Sequence, residues 1–272
     1  MTIAIVGSGY LGKAYEKIFP EAIVYDEPKN ILAGQSNLKS ARVAVGLCDF
    51  AIIAVPTDYT DDGKLDTSIV EEIVDWCDSD IILIKSALQP GTVDRLVEKT
   101  GKNIVVSVEF IGEGRYHQPA HKYPHPTDPR QHQLLIVGGQ EPARSKSAEL
   151  LWSRMSPDIR IHLVTAKEAE ITKMAENTYG ALKVTWANIL KDICDAQGVN
   201  FIQVHQAWSE DGRVDPMHTR SVSFSRGWNS KCYNKDVRAF ANLSQSAMLK
   251  GMVKDNIKHL ASNETEDLIG KR

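Results

Sequence analysis

A cysteine in polar surroundings is the first residue of this chain whose type and setting suggest chemistry. Cys232 lies in the stretch GWNSKCYNKD, from Gly227 to Asp236, with Lys231 and Lys235 close to it in sequence. A structural cysteine packs as a small hydrophobe, whereas neighbouring cations lower the pKa of a thiol toward the reactive thiolate. Cys232 is therefore a candidate nucleophile, and the alternative is a loop thiol without a function.

The N-terminal stretch GSGYLG is a second candidate site. Its glycines, Gly7, Gly9 and Gly12, follow a β-branched run, Thr2–Val6, and open a helical pattern. In a dinucleotide-binding fold the first glycine makes a tight turn, the second lets the backbone approach the pyrophosphate, and the third lets the helix pack on the strand. The helix N-terminus would donate N–H groups to the pyrophosphate. A glycine turn without a cofactor is the alternative.

Asp26 ends the next predicted strand, Ala22–Asp26. A carboxylate at this position accepts hydrogen bonds from the ribose hydroxyls of NAD and repels the 2′-phosphate of NADP. The sequence therefore predicts NAD as the cofactor.

These residues need a scaffold, and the first 164 residues alternate between strand and helix patterns. This alternation predicts an α/β fold with a doubly wound, Rossmann-type parallel sheet over 1–164. Further predicted strands are Phe50–Thr57, Asp80–Ala87, Asn103–Phe110, and two runs within 133–164.

The remainder, 165–272, has a helical pattern. From Thr165 to about Gln197 apolar residues recur every three or four positions, which predicts one helix of about 30 residues. Such a long helix needs a partner, either other helices or a second subunit. A short helix near 201–208, a loop over 209–235 carrying Cys232, a helix over about 236–261 and a frayed polar tail complete the prediction.

The composition excludes several classes of function. The chain has 272 residues, with 32 Lys and Arg against 35 Asp and Glu, a formal charge of −3. This charge gives no general attraction to nucleic acid or to an anionic membrane. No signal peptide or membrane-spanning run is present in the pattern, so a cytoplasmic protein is expected. The scattered cysteines, Cys48, Cys77, Cys194 and Cys232, are expected to be reduced.

Four histidines, His117, His121, His125 and His132, crowd one polar stretch. Their spacing is irregular and no cysteine or acidic ligand pattern accompanies them, so we predict an exposed loop and no metal site.

Six motifs in order resemble the UDP-glucose/GDP-mannose dehydrogenase family. That family shows G-x-G-Y-V-G, V-P-T-P, K-S-T-V-P-x-G-T, P-E-F-L-R-E-G, a helix with E-A-E-x-x-K-x-x-x-N, and G-F-G-G-x-C-F-P-K-D. The corresponding stretches here are GSGYLG, AVPTD, KSALQPGT, EFIGEG, EAEITKMAENTYGALK and GWNSKCYNKD.

The resemblance implies an NAD-binding domain followed by a helical domain that dimerises through its long helix. It implies oxidation of a sugar CH2OH group to a carboxylate, with two NAD and a cysteine nucleophile. The implied catalytic residues are Cys232 as nucleophile, Lys173 and Asn177 as the pair that positions the oxyanion and water, Asp236 as their support, and Glu109.

The resemblance also assigns binding residues. Arg213 would reach the substrate of the neighbouring subunit, and Lys235 would bind substrate. The implied cofactor-binding residues are Gly7, Gly9, Tyr10, Leu11, Gly12, Asp26, Val55, Pro56, Thr57, Ser86 and Glu113.

These residue types suit a four-electron oxidation. The first hydride transfer gives an aldehyde, which a thiolate attacks to form a thiohemiacetal; loss of a second hydride leaves a thioester that water cleaves. The developing alkoxide needs a cation and a donor, and Lys173 and Asn177 are four apart on one helix. Glu109 could act with water as general base. The solvated face of a helix is the alternative for the lysine–asparagine pair.

The chain departs from the family pattern at several positions. Full-length members carry a third, C-terminal α/β domain that holds the nucleotide, so we expect a short form, with a separate chain as one candidate source of that domain. The departing residues are Ala87, Gly112, Asn229, Ser230 and Asn234.

Three hypotheses follow from these observations. The first is an NAD-dependent sugar-nucleotide dehydrogenase. The second is a two-electron hydroxyacid dehydrogenase, which would not need Cys232. The third is a non-catalytic NAD-binding homologue.

Overall fold

The protein is described by a computed structural model that covers residues 1–111, 128–220, 222 and 225–269, with side chains described as far as 263. The chain divides into two compact units. We call Met1–Asp58 with Leu65–Lys173 the sheet unit, and Tyr59–Lys64 with Met174–Arg272 the helical unit. The domains predicted from the sequence, 1–164 and 165–272, were divided by function and not by compactness, and they stay a prediction.

The sheet unit contains one eight-stranded sheet in the order β3-β2-β1-β4-β5-β6-β7-β8. Most neighbours are parallel, while β3 against β2 and β7 against β6 are antiparallel. The predicted doubly wound Rossmann-type fold is therefore confirmed. The strands are β1 (Ile3–Val6), β2 (Ile23–Asp26), β3 (Ile31–Leu32), β4 (Phe50–Ile53), β5 (Ile81–Ile84), β6 (Ile104–Val106), β7 (Leu134–Gly139) and β8 (Arg160–Val164).

The central strands are apolar throughout because both faces of the sheet are covered. Every residue of β1, β4 and β5 is buried, as expected for parallel strands between two helical layers. Alternate residues along these strands belong to two separate core clusters, one on each face. The helices of this unit are α1 (Tyr10–Ile18), α2 (Leu38–Gly46), α3 (Ser68–Trp76), α4 (Thr92–Thr100) and α5 (Ala143–Trp152).

The strand order reverses between β1 and β4. β1 pairs with β2 on one side and with β4 on the other. In doubly wound sheets ligands bind outside the carboxyl ends of the strands at this switch point. The glycine motif after β1 and the AVPTD motif after β4 therefore meet at the expected place.

The helical unit is built on the predicted long helix. The helix α6 (Ala166–Ala196) has 31 residues, and the boundary between the two units falls inside it. It is followed by α7 (Phe201–Ser209), α8 (Lys231–Ser244) and α9 (Ala247–Ile269). None of the described helices combines the length and the apolar character that a membrane crossing requires.

The region around Cys232 corrects the sequence prediction. Helix α8 begins at Lys231, so Cys232 lies in a helix and not in the predicted 209–235 loop. The reason is the N-cap, because the Ser230 side chain accepts a hydrogen bond from Tyr233 N–H at 3.1 Å. The predicted 236–261 helix is also two helices, separated at Gln245, whose φ is +55°.

Two further elements and one helix end differ from the prediction. β3 and α2 occupy a stretch for which no element was predicted, and Asn37 caps α2 by accepting from Ser40 N–H at 2.9 Å. The predicted frayed tail is wrong as far as Ile269, because α9 continues to that residue.

Candidate active site

The glycine motif forms a turn that two of its glycines make sterically necessary. Gly7 has φ +96°, and a Cβ there would lie 2.5 Å from the Ala54 carbonyl oxygen. A Cβ at Gly12 would lie 1.8 Å from the Gly7 carbonyl oxygen. At Gly9, by contrast, a Cβ would meet nothing within 4 Å, so space is open at the N-terminus of α1. This combination of a tight turn and open space fits a dinucleotide pyrophosphate.

Asp26 lies against the same turn. Its Oδ2 accepts from Ser8 N–H at 2.7 Å and lies 3.1 Å from the Lys29 ammonium. Burial raises the pKa of Asp26, but the Ser8 hydrogen bond and Lys29 more than offset this and hold it below its ordinary value. The carboxylate is therefore ionised at neutral pH, as the predicted contact with ribose hydroxyls requires.

The two motifs after β4 and β5 are joined by a hydrogen-bonded pair. Ser86 Oγ donates to the Val55 carbonyl at 2.7 Å and accepts from Val55 N–H at 3.0 Å. Ser86 and Thr57 are buried, while Pro56 is exposed. Other predicted contacts vary in exposure: Tyr10 is exposed, Leu11 packs on the core, and Ala87 is half-buried. The predicted cofactor contact Glu113 and the departure Gly112 lie outside the described residues.

Glu109 is the centre of a buried charged cluster in the sheet unit. Tyr15 Oη donates to Glu109 Oε2 at 2.6 Å, and the Lys85 ammonium lies 3.4 Å from the same oxygen. His132 Nδ1 lies 3.5 Å from Oε1. Lys85 also donates to Ser107 Oγ at 2.9 Å. The carboxylate is thus surrounded by groups from three places in the sheet unit.

This cluster fixes the charge of Glu109. Burial raises the pKa of a carboxyl group, but Lys85, His132 and the Tyr15 hydrogen bond together hold the pKa of Glu109 well below its ordinary value. Burial in turn lowers the pKa of Lys85, and Glu109 opposes that shift. A general base works best with a pKa near the working pH. The surroundings of Glu109 therefore suit a permanently charged anchor better than a proton acceptor.

Sequence reasoning missed three members of this cluster. Lys85 belongs to the KSALQPGT motif, but no role was predicted for it. Tyr15 has the pattern of an ordinary apolar position of α1. His132 was predicted to lie in an exposed loop. His132 is in fact buried. No local signal connects these positions, because they lie far apart in the chain.

Lys173 lies on the first turns of α6, in the sheet unit. Its ammonium lies 5.0 Å from the centre of the Phe110 ring, a cation–π distance. The hypothesis that Lys173 is only part of a solvated face is therefore disfavoured, because the side chain is half-buried and contacts an aromatic ring.

Asn177, Lys235 and Asp236 meet in the helical unit. Asn177 Nδ2 donates to Asp236 Oδ2 at 2.5 Å, and Lys235 Nζ lies 2.7 Å from Asp236 Oδ1. Asp236 is fully buried and Asn177 is 4% exposed. Asn177 and Asp236 thus form a direct hydrogen bond between α6 and α8, and the predicted supporting role of Asp236 stays a prediction.

Cys232 lies on the first turn of α8, one turn before Asp236, and is partly exposed. The other three cysteines are buried. The first turn of a helix presents unpaired N–H groups and a positive dipole end, which favour a thiolate.

Arg213 is almost fully exposed, with 89% of its side chain accessible, and pairs with Asp211 at 2.5 Å. Its predicted contact with the substrate of a neighbouring subunit stays a prediction. His117, His121 and His125 lie outside the described residues. Within the described ranges, no cluster of three His, Cys, Asp or Glu side chains is arranged to hold a metal ion.

Comparison with known proteins finds similarity to a dehydrogenase family over part of the chain. Residues 167–261 match the central domain of the UDP-glucose/GDP-mannose dehydrogenase family. The chain is 25% identical over 291 residues to the UDP-glucose 6-dehydrogenase AglM of Haloferax volcanii, covering 88% of this chain and 64% of the relative. It is 28% identical over 222 residues to a UDP-glucose 6-dehydrogenase of Pseudomonas aeruginosa, covering 74% of this chain and 46% of the relative. The chain thus spans less than two thirds of the length of these two dehydrogenases.

Solved structures share the fold of this chain. The UDP-D-ManNAc dehydrogenase of Pyrococcus horikoshii superposes with a TM-score of 0.77 at 21% identity, covering 100% of this chain and 72% of that one. The 3-hydroxyisobutyrate dehydrogenase of Mycobacterium tuberculosis superposes with a TM-score of 0.65 at 16% identity, covering 96% of this chain and 94% of that one. Because both kinds of dehydrogenase share the fold, the fold alone does not choose between the reactions.

Proposed function

We propose that this protein oxidises the primary alcohol of a sugar nucleotide to a carboxylate, with NAD as oxidant and Cys232 as nucleophile. The observation that carries the proposal is the placement of Cys232 on the first turn of α8, the helix whose Asp236 binds Asn177. A hydroxyacid dehydrogenase has no use for a thiol at this position.

The chemistry begins with removal of a hydride and a proton from the alcohol, which gives an aldehyde. The Cys232 thiolate adds to the aldehyde carbon, and the resulting alkoxide takes up a proton to give a thiohemiacetal. Loss of a second hydride and proton leaves a thioester, which water cleaves to the acid and the thiol. NAD, when bound, accepts the two hydrides, one per molecule of cofactor.

The cofactor would be held by the turn of Gly7, Gly9 and Gly12 and by Asp26. The groups after β4 and β5 complete this proposed site, with Val55, Pro56, Thr57 and Ser86 as its residues together with Tyr10, Leu11 and Glu113.

The remaining residues act on charge that develops at the reacting carbon. Lys173 supplies a cation and Asn177 an amide donor for the alkoxide of the Cys232 adduct. Asp236 orients Asn177 through their hydrogen bond. Glu109 contributes a fixed negative charge, while Lys235 and Arg213 are the proposed substrate contacts.

A homodimer through α6 is part of the proposal. Tyr179, Trp186 and Ile193 follow one another at seven-residue spacing on α6, and their exposed fractions are 57%, 47% and 51%. A stripe of large exposed apolar side chains on one helix face is typical of an interface. Light scattering tests this proposal: we expect a dimer that Trp186→Glu converts to a monomer, and a wild-type monomer at micromolar concentration would contradict it. A cytoplasmic location and a separate nucleotide-binding chain stay predictions.

The deciding experiment counts NADH formed per substrate with a series of sugar nucleotides and hydroxyacids. We expect two NADH per sugar nucleotide for the wild type. Cys232→Ser should form the aldehyde but slow its oxidation by about a thousandfold or more, because a serine hydroxyl is far less ionised than a thiol. Cys194→Ser, at a buried position on α6, is the matched control and should retain two NADH.

Full turnover in Cys232→Ser would contradict the thioester mechanism. One NADH per substrate, obtained with a hydroxyacid and unaffected by Cys232→Ser, would favour the two-electron alternative. No NADH with any substrate, despite bound NAD, would favour the non-catalytic homologue.

A further inference from the structure

The residues that precede α8 are held by side-chain amides from another helix. We call Arg226, Gly227 and Trp228 the pre-nucleophile segment. Asn263 Oδ1 accepts from Arg226 N–H at 2.9 Å, and its Nδ2 donates to the Arg226 carbonyl at 2.9 Å. Asn256 pairs with Trp228 in the same two-sided way, at 2.7 and 2.9 Å. Both asparagines belong to α9, two turns apart.

A third asparagine, on α6, completes the arrangement. Asn188 Oδ1 accepts from Gly227 N–H at 3.2 Å and from Arg226 Nε at 2.7 Å. Gly227 has φ +74°, and a Cβ there would lie 2.8 Å from Asn256 Oδ1. The glycine is therefore required both by its conformation and by the approach of the amide. We call Asn188, Asn256 and Asn263 the asparagine clamp.

The Arg226 side chain joins the same two helices. It is 12% exposed and donates to Asp192 Oδ1 on α6 and to His259 Nδ1 on α9, the latter at 3.0 Å. Burial lowers the pKa of His259, and Arg226 adds to this shift. The imidazole is thus neutral at neutral pH, and its Nδ1 accepts the hydrogen bond.

A series of contacts connects the pre-nucleophile segment with the residues on either side of Cys232. Trp228 is 4% exposed, and its Nε1 donates to Thr185 Oγ1 at 3.1 Å. Its ring meets the Tyr233 ring edge-on at 6.5 Å. Ser230 caps Tyr233, and Cys232 lies between these two residues in the first turn of α8. The clamp therefore acts on the stretch of backbone that carries the thiol.

Asparagine is well suited to this role because its side chain is short and carries both a donor and an acceptor. Asn188 is fully buried and Asn256 is 2% exposed. Without the clamp, backbone N–H and C=O groups of the segment would lose their hydrogen-bond partners. The segment would then move to find new partners.

We propose that the asparagine clamp is the positioning device for Cys232, holding the thiol at the start of α8 where helix N–H groups favour the thiolate. The inference rests on the proposed function, because it assigns the clamp to the nucleophile of that reaction. A displacement of about 1 Å in a reacting group can cost about a hundredfold in rate, so precise positioning of the thiol matters for the proposed reaction.

The test measures the reactivity of each cysteine without any substrate. Wild type, Asn256→Ala and Asn263→Ala are alkylated with iodoacetamide from pH 6 to 10, and peptide mass spectrometry gives the rate at Cys232. Asn200→Ala is the matched control, since it removes the N-cap of α7, a comparable loss of stability away from the segment. Cys194, 2% exposed, is the internal control for unfolding.

We expect the clamp variants to raise the pH midpoint of Cys232 alkylation and to lower its rate at pH 7 about three- to tenfold. Cys194 labelling and the control variant should stay at the wild-type level. An unchanged pH dependence of Cys232 alkylation in a folded clamp variant would overturn the inference. If Asn256→Ala does not fold, Asn263→Ala provides the test, because its position is only half-buried. Failure of the proposed function can be distinguished from failure of this inference. In that case the wild type would form no NADH, while the clamp variants would still differ from it in Cys232 alkylation.

Discussion

Glu109 in the sheet unit and Asp236 in the helical unit are both buried carboxylates, but their partners differ. Glu109 binds Tyr15, Lys85 and His132, which come from separate parts of the sheet unit. Asp236 binds its chain neighbour Lys235 and one residue of another helix, Asn177. The first cluster holds a charge within the sheet core, and the second ties α8, which carries Cys232, to α6. We therefore propose that Glu109 is a permanently charged group of the sheet unit. Asp236, in contrast, is proposed to orient Asn177.

Removing Lys85 should have the largest effect on stability. Lys85→Met leaves the buried Glu109 charge without its cation, and we expect a loss of about 3–5 kcal/mol in the free energy of unfolding. Urea unfolding measures this loss. Lys99→Met, at a half-exposed ion pair with Asp75, is the control and should have little effect. The double variant Lys85→Met/Glu109→Gln should recover much of the loss, and strict additivity of the two changes would contradict the idea of an anchored pair.

A third buried carboxylate, Glu170, sharpens the comparison because no cation among the described residues forms an ion pair with it. Burial raises its pKa to about 7, against the hydrogen bonds from Val93 and Gly91 N–H, with Asp94 and Lys167 as the charged neighbours. Since the folded pKa exceeds the unfolded value, the folded state binds the proton more tightly. The stabilisation is then complete below about pH 4.5 and is lost as pH rises to about 7.

The measurement compares wild type with Glu170→Gln, which lacks this titration. As the pH rises from 4 to 8, the free energy of unfolding of the wild type should fall by on the order of 3 kcal/mol relative to that of Glu170→Gln. A difference that does not change with pH would show that Glu170 titrates normally.

Asp236→Asn should have a smaller effect on stability than Lys85→Met or the titration of Glu170. The reason is that one hydrogen bond to Asn177 can persist. We expect a loss of about 2 kcal/mol, since Lys235 loses a charged partner. Asp255→Asn, at a more exposed ion pair with Lys258, is the control. A full turnover rate in Asp236→Asn would contradict its proposed role in orienting Asn177.

The smallest effect is expected at Asp26, whose carboxylate lies at the edge of the glycine turn. The wild type should prefer NAD over NADP, and Asp26→Asn should narrow that preference by about tenfold, or about 1.4 kcal/mol. The effect is limited because Lys29, 3.1 Å away, already offsets part of the negative charge. Calorimetric titration with both cofactors checks it, and equal binding of NAD and NADP by the wild type would remove the assignment.

Local patterns in the sequence were sufficient to predict much of this protein. The β-branched run before Gly7, the glycine spacing and the long apolar-striped helix each lie within one segment, and each is a direct consequence of backbone geometry and burial. For that reason the doubly wound sheet and α6 could be predicted. The start of α8 also had a local signal, since Ser230 is a good N-cap residue, but its polar neighbours favoured a loop.

The pairing of the candidate residues depends on how the chain packs. The partners of Glu109 lie at positions 15, 85 and 132, and the clamp joins positions 188, 256 and 263 to a segment at 226–228. No periodicity or spacing links such positions, because their proximity results from the packing of the whole sheet or of several helices. Most of the elements and the types of chemical group could therefore be predicted from local patterns, while β3, α2 and the start of α8 were not. Packing decided which carboxylate is a fixed charge, and which amides hold the backbone that carries Cys232.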